Sequence, residues 1–285
     1  MILFPNAKIN LGLAVTARRP DGYHELNTVM APAGWCDVLE IVPSRSGRHS
    51  LDVSGRVVDC PPEKNLVFKA LHAVEAVTGP LPPVEIHLEK IIPDGAGLGG
   101  GSADAAFTIR GLNDLLSLGL DCREMEGIAA RVGADCPFFI GNTPAVCTGT
   151  GTDISPLDFG LPEGMPLVIA KPRVAAVSTA EAYGRIVPAA PAELPAEVLA
   201  LPPQMWRGRL VNDFEKSIFP LLPQVAGVKE RMYAAGAVYA SMSGSGAAVY
   251  GIFDDDNLAQ AAAASMTDCD TWTGPLRHPL NDIYT

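Results

Sequence analysis

Pro93-Asp94-Gly95-Ala96-Gly97-Leu98-Gly99-Gly100-Gly101-Ser102-Ala103 holds five glycines in seven positions, directly before an apolar-periodic segment. Ser102 opens that segment as a helix running through Ala106, Ile109, Leu112 and Leu116. Glycines let backbone N–H groups converge on an anion, and a helix N-terminus adds its partial positive charge. The segment therefore reads as a phosphate site. Two other phosphate motifs compete for it. A P-loop is excluded, because no Gly-Lys-Ser/Thr lies nearby. The dinucleotide spacing G-x-G-x-x-G does occur at Gly95, Gly97 and Gly100, with Asp121 downstream. That fingerprint needs a buried parallel strand before it, whereas Val84, Ile86 and Leu88 alternate with Glu85, His87 and Glu89. It also needs Asp121 to end a second strand, and Leu112 to Leu120 reads as continuing helix. The match is accidental.

Outward from the loop, Asn65 caps a helix whose apolar stripe is Val67, Ala70, Leu71 and Val74, ending before Gly79-Pro80. At the N-terminus, Ile9, Leu11, Leu13 and Val15 alternate with Lys8, Asn10, Gly12 and Ala14, which predicts a half-buried strand. The turn Asp21-Gly22 follows, with Tyr23 and His24 beyond it. Val38 to Val42 and Leu51 to Val53 are further short strands. Downstream, Arg123 to Val132 is a helix with Gly133 as its cap. Val168 to Ala170 is a strand, and Thr179 to Val187 and Val225 to Ala235 are helices. Two strands, Ala237 to Met242 and Ala247 to Phe253, flank the turn Ser243 to Gly246. Residues 188–203 carry five prolines among alanines and read as a linker or surface excursion. Interspersed helices and alternating strands predict an α+β fold with mainly antiparallel sheets.

Composition narrows the function. The 285 residues carry 21 Lys and Arg against 32 Asp and Glu, so 21 − 32 = −11. That balance argues against a nucleic-acid or anionic-membrane partner, which needs a basic footprint. It leaves room for a small anionic ligand in a local pocket. No apolar run reaches the ~18 residues of a membrane span, and Pro5, Asn6, Lys8 and Asn10 break the N-terminal stretch that a signal peptide needs. Cys36, Cys60, Cys122, Cys136, Cys147 and Cys269 show no C-x-x-C pairing and read as reduced core fillers, pointing to a cytoplasmic protein.

Alone, Lys8 reads as a solvated strand-end lysine and Asp135 as a turn aspartate. Beside a phosphate loop the couple means more, because phosphoryl transfer to an alcohol uses both. A carboxylate orients or accepts the hydroxyl proton, and an ammonium neutralises charge on the transferring group. AKINL from Ala7, DGYHEL from Asp21, PDGAGLGGGSADAA from Pro93, GADCPFF from Gly133 and SMSGSGAAVYGIF from Ser241 together resemble one superfamily, the galactokinase, homoserine, mevalonate and phosphomevalonate kinases. The pairing of AKINL with DGYHEL resembles the branch whose acceptor is cytidyl-diphospho-methylerythritol.

The resemblance implies two α+β domains, over residues 1–155 and 156–285, with ATP and the acceptor in the cleft between them. It implies ATP-dependent phosphorylation of the acceptor's 2-hydroxyl, in non-mevalonate isoprenoid synthesis. Lys8 and Asp135 match the catalytic pair. Pro93, Asp94, Gly95, Ala96, Gly97, Leu98, Gly99, Gly100, Gly101, Ser102 and Ala103 match the ATP phosphate loop. Asn65 and Leu66 fall at adenine contacts. Asn10, Tyr23, His24, Thr179 and Tyr183 match acceptor positions, with Tyr23 and Tyr183 stacking on the base and His24 reading it by backbone. Ser102 is the candidate Mg²⁺ ligand, and Gly244 to Gly246 match a loop supporting the phosphate region. Cys136 departs from the more usual small aliphatic residue. Two competitors remain: a kinase for homoserine or mevalonate, for which the Asp21 to His24 turn has no role, and a silent sensor, against which both Lys8 and Asp135 count.

Overall fold

The computed structural model describes residues 1–285 except 58–59, 158–160, 163, 176–178 and 277–285. In chain order the strands are β1 (Ile2–Leu3), β2 (Asn6–Arg18), β3 (His24–Cys36), β4 (Val38–Pro43), β5 (Ser50–Gly55), β6 (Val84–Lys90), β7 (Ala145–Gly149), β8 (Asp153–Pro156), β9 (Pro166–Pro172), β10 (Tyr239–Met242), β11 (Val249–Ile252) and β12 (Cys269–Pro275). They form three four-stranded sheets, ordered β1-β4-β6-β5, β2-β3-β7-β8 and β10-β11-β9-β12. Pairing is antiparallel except between β5 and β6, a parallel pair in the otherwise antiparallel pattern. The helices are α1 (Leu66–Thr78), α2 (Gly100–Leu116), α3 (Cys122–Ala130), α4 (Phe138–Gly141), α5 (Thr179–Gly184), α6 (Pro195–Leu199), α7 (Glu215–Ile218), α8 (Pro223–Ala234) and α9 (Asp256–Ser265).

Three cores hold these layers together. Sheet β1-β4-β6-β5 packs on α1 and α2 through Ile41, Ile86, Leu88, Leu71 and Ile109. At the other end, α8 and α9 cover the last sheet through Val228, Met232, Ala259 and Ala262. Between them, Ile9 and Leu11 of β2 meet Ile169, Tyr239 and Tyr250, so the middle sheet and the last sheet share one core. Helix α1 forms as its spacing predicts: the Asn65 side chain accepts from Val67 N at 2.9 Å, a cap worth about 1 kcal/mol, and Gly79 ends it.

Several elements differ from the sequence reading. Strand β2 is buried on both faces from Asn6 to Val15, because its polar phase lines a cleft instead of meeting water. Helix α2 begins at Gly100, with Gly99 at φ +72° in the cap position, so Ser102 sits in its first turn and does not cap it. That helix ends at Leu116, with Ser117 left-handed behind it. Asp121 caps α3 through a capping box with Glu124, and α3 closes at Arg131, two residues before Gly133. Helix α5 stops at Gly184, short of Val187. Residues 188–203 are not a loose excursion: α6 buries Val198 and Leu199 against β2 and β3. Of the cysteines, Cys136, Cys147 and Cys269 are buried fillers, while Cys122 is exposed; all six are free.

Candidate active site

A cleft of about 480 Å³ opens between the inner face of β2 and the glycine-rich loop. The polar phase of β2 supplies its floor. Lys8 N donates to Leu98 O at 2.8 Å, which pins the loop to the strand. Lys8 Nζ donates to Asn10 Oδ1 at 2.5 Å and stands 3.5 Å from Asp135 Oδ2. Asn10 Nδ2 donates to Thr28 Oγ1 at 3.0 Å, and that hydroxyl donates to Gly12 O at 2.5 Å. A chain of hydrogen bonds thus fixes a nearly buried ammonium. The Asp135 side chain keeps 33% of its surface exposed, toward the cleft. It follows α3 in a tight turn, closed by Cys136 N donating to Gly133 O at 3.1 Å. Burial pushes the Cys136 thiol up to about 12, against a hydrogen bond with Ser102. Buried and free, that thiol packs as a small apolar group.

The loop turns through positive φ at Gly95, Gly97 and Gly99 and delivers its chain to the N-terminus of α2. Residues 93–102 line the cleft; Ala103 is buried behind it. A second glycine turn braces the first. Ser243 Oγ donates to Gly97 O at 2.9 Å, Ala247 N to Gly95 O at 3.1 Å and Ala248 N to Ala96 O at 3.0 Å. Asn65 and Leu66 line the same cleft at the start of α1. The Asn65 side-chain oxygen is already committed to Val67 N.

Tyr183 also lines the cleft. Its ring stacks on His24, with centroids 5.0 Å apart and planes at 28°, and meets Phe214 edge-on at 4.8 Å. Burial, with the Asp135 charge, pushes the Tyr183 phenol up to about 12. Tyr23 stands apart, 66% exposed. The ring stacked on Tyr183 in this structure is that of His24, whereas the sequence reading sets Tyr23 and Tyr183 on the base and has His24 acting by its backbone. The Thr179 side chain lies outside the described residues.

Sequence reasoning passed over Thr28, Lys90, Asp104 and Phe214, all of which line the cleft. One signal was legible. Lys90 continues the buried phase Val84, Ile86, Leu88, so it is a lysine at an apolar position of the strand. Phe214 carries no comparable mark, because an isolated aromatic reads as core.

Residues 65–147 match the family model described as GHMP kinases N terminal domain, and residues 196–269 match GHMP kinases C terminal. A 4-diphosphocytidyl-2-C-methyl-D-erythritol kinase of Parabacteroides distasonis is 49% identical over 276 residues, covering 97% of this chain and 100% of that protein. The enzyme of the same description from Porphyromonas gingivalis is 45% identical, covering 95% and 98%. The crystal structure of a 4-(cytidine 5'-diphospho)-2C-methyl-D-erythritol kinase superposes with a TM-score of 0.82 at 35% identity, covering 98% and 100%. The chain belongs to the GHMP kinase family, within its 4-diphosphocytidyl-2-C-methyl-D-erythritol kinase branch.

Proposed function

We propose that this chain transfers the γ-phosphoryl group of ATP to the 2-hydroxyl of 4-diphosphocytidyl-2-C-methyl-D-erythritol, giving the 2-phosphate and ADP, in the non-mevalonate route to isoprenoid precursors. The observation that carries the reading is the Lys8–Asp135 pair at 3.5 Å, in one cleft with a glycine loop that opens a helix. Asp135 takes the hydroxyl proton as that oxygen forms its bond to the γ-phosphorus, and the bond to the ADP oxygen breaks. Lys8 balances the carboxylate and the charge moving to the transferred group. The acceptor hydroxyl is tertiary and hindered, so alignment matters more than intrinsic reactivity. The buried chain Lys8–Asn10–Thr28–Gly12 supplies that rigidity.

Residues 93–103 hold the ATP phosphates, and Asn65 and Leu66 flank its adenine. Asn10, Tyr23, His24, Thr179 and Tyr183 belong to the acceptor side. Among the described residues no cluster of three or more His, Cys, Asp or Glu could cage a metal. Mg²⁺ needs no such cage, because it usually keeps several waters and is bound largely through substrate phosphates with one or two protein groups. The Ser102 hydroxyl, which lines the cleft at the start of α2, would be the protein's donor to such an ion, which would neutralise phosphate charge. We further assign the nucleotide unit to residues 1–155 and the second unit to 156–285. Six free thiols support action in the cytoplasm, and no helix among the described residues is long and apolar enough to cross a membrane.

A coupled ADP-release assay with the cytidyl acceptor, its uridyl analogue, mevalonate and homoserine tests the reading. Turnover is expected with the cytidyl acceptor alone; comparable turnover with mevalonate or homoserine rejects it. Within the same assay Tyr183→Ala is expected to raise KM for the cytidyl acceptor by ~10-fold or more, the scale of base–aromatic stacking. KM for ATP stays within about twofold of the parent, because this reading puts Tyr183 on the acceptor and not on the nucleotide. Tyr23→Ala separates two arrangements. A comparable rise means that Tyr23 closes over the base; an unchanged KM leaves stacking to His24 and Tyr183.

A further inference from the structure

A loop with five glycines in seven positions loses much conformational entropy when it is held for phosphate, so something must fix its ends. Both ends meet one buried ionic cluster. The Asp37 carboxylate, fully buried between β3 and β4, accepts from Ile91 N at 2.5 Å and Ile92 N at 2.8 Å, the two residues leading into the loop. Its other oxygen accepts from Lys90 Nζ. The same ammonium donates to Asp104 Oδ2 at 2.6 Å, in the second turn of α2 where the loop leaves. Asp104 is buried, its second carboxylate oxygen has no partner among the described residues, and both Asp104 and Lys90 line the cleft. A Cβ on Gly100 would stand 3.4 Å from Lys90 Nζ, so the cation lies directly behind the first residue of α2.

We propose that Lys90, with Asp37 and Asp104, is a positioning group for the nucleotide: an ionic staple across the base of the glycine loop that holds its N–H groups in place before ATP arrives. The proposal rests on residues 93–103 being the phosphate loop. Its effect falls on ATP, because the hydrogen bonds of the cluster run to the residues at the loop's two ends, Ile91 and Ile92 before it and Asp104 after it.

The test measures binding of a non-hydrolysable ATP analogue by calorimetry, KM for the cytidyl acceptor and thermal melting in Asp104→Ala and Asp104→Asn. Alanine removes the bridge to α2 and leaves Lys90 paired with Asp37. Its Kd for the analogue is expected to rise ~10-fold or more, with the acceptor KM within about twofold of the parent. Asparagine keeps an acceptor for Lys90 without its charge and is expected to fall between, at about threefold. Faster amide exchange than the parent across 93–101 is expected to accompany it. A folded Asp104→Ala that binds the analogue within twofold of the parent overturns the staple, and so does a parallel loss of analogue and acceptor affinity. If Asp104→Ala does not fold, Asp104→Asn decides alone, and parental affinity with parental amide exchange overturns the proposal. A parent that fails to bind the analogue rejects the phosphate-loop reading itself. A parent that binds it without turning over the cytidyl acceptor rejects only the proposed reaction.

Discussion

Asp135→Asn is expected to lower kcat by ~10² or more while leaving ATP affinity nearly intact. The amide has the carboxylate's shape and can still occupy its place 3.5 Å from Lys8 Nζ, but it cannot take the acceptor's proton. Lys8→Met keeps the buried stem and removes the ammonium, leaving Asn10 Oδ1 without its 2.5 Å donor; a similar loss is expected. The double variant should be little worse than either single one, because groups that act as a unit do not contribute additively. Single-turnover measurements at saturating ATP and acceptor isolate the transfer step from binding. Near-parental turnover in Asp135→Asn rejects the assigned proton acceptor, and a fully additive double variant rejects the coupling.

Local chemistry was legible in the sequence wherever neighbours in the chain decide it. The cap at Asn65, the α1 stripe, the wet face of β6 and the hairpin turn at 243–246 all follow from spacing over a few residues. The glycine loop was legible for the same reason. Contacts between distant segments were not. Nothing in the N-terminal alternation says that the polar face of β2 would be sealed by the loop and by Asp135, so Lys8 reads as solvated when it is nearly buried. The prolines of 188–203 suggest a linker because proline breaks local order, yet Pro195 starts α6 and packs against Gly12. Stacking of His24 on Tyr183 needs the β2–β3 turn to be brought to α5, a tertiary event without a local signature. Asp37 shows the same limit: it sits between two strands like any turn acid, and only the fold brings Lys90 and two backbone N–H groups to it.

Gly97→Ala is expected to weaken ATP binding ~10-fold or more, which corresponds to about 1.4 kcal/mol. Gly97 has φ +72°, where an L-residue is strained by roughly 1–2 kcal/mol. The added Cβ would also stand 2.1 Å from Ser243 O and 3.1 Å from Gly246 N. Both are backbone atoms of the bracing turn and cannot rotate aside, so the two loops must part, breaking their hydrogen bonds at 95–97. Gly99→Val should act differently. Its Cβ would meet Phe139 Cζ at 3.0 Å and Lys8 Cγ at 3.2 Å, at φ +72°. That pressure moves the catalytic lysine, so kcat should fall along with ATP affinity. Gly101→Ala is the control: no positive φ and a nearest contact of 3.6 Å, to Leu66 Cδ1, predict near-parental binding. Calorimetric titration with a non-hydrolysable ATP analogue orders the three, and melting curves separate loop damage from global unfolding. Parental affinity in Gly97→Ala would mean that the loop does not need its brace to hold phosphate, and a loss in Gly101→Ala equal to that in Gly97→Ala would mean that backbone conformation is not what the glycines provide.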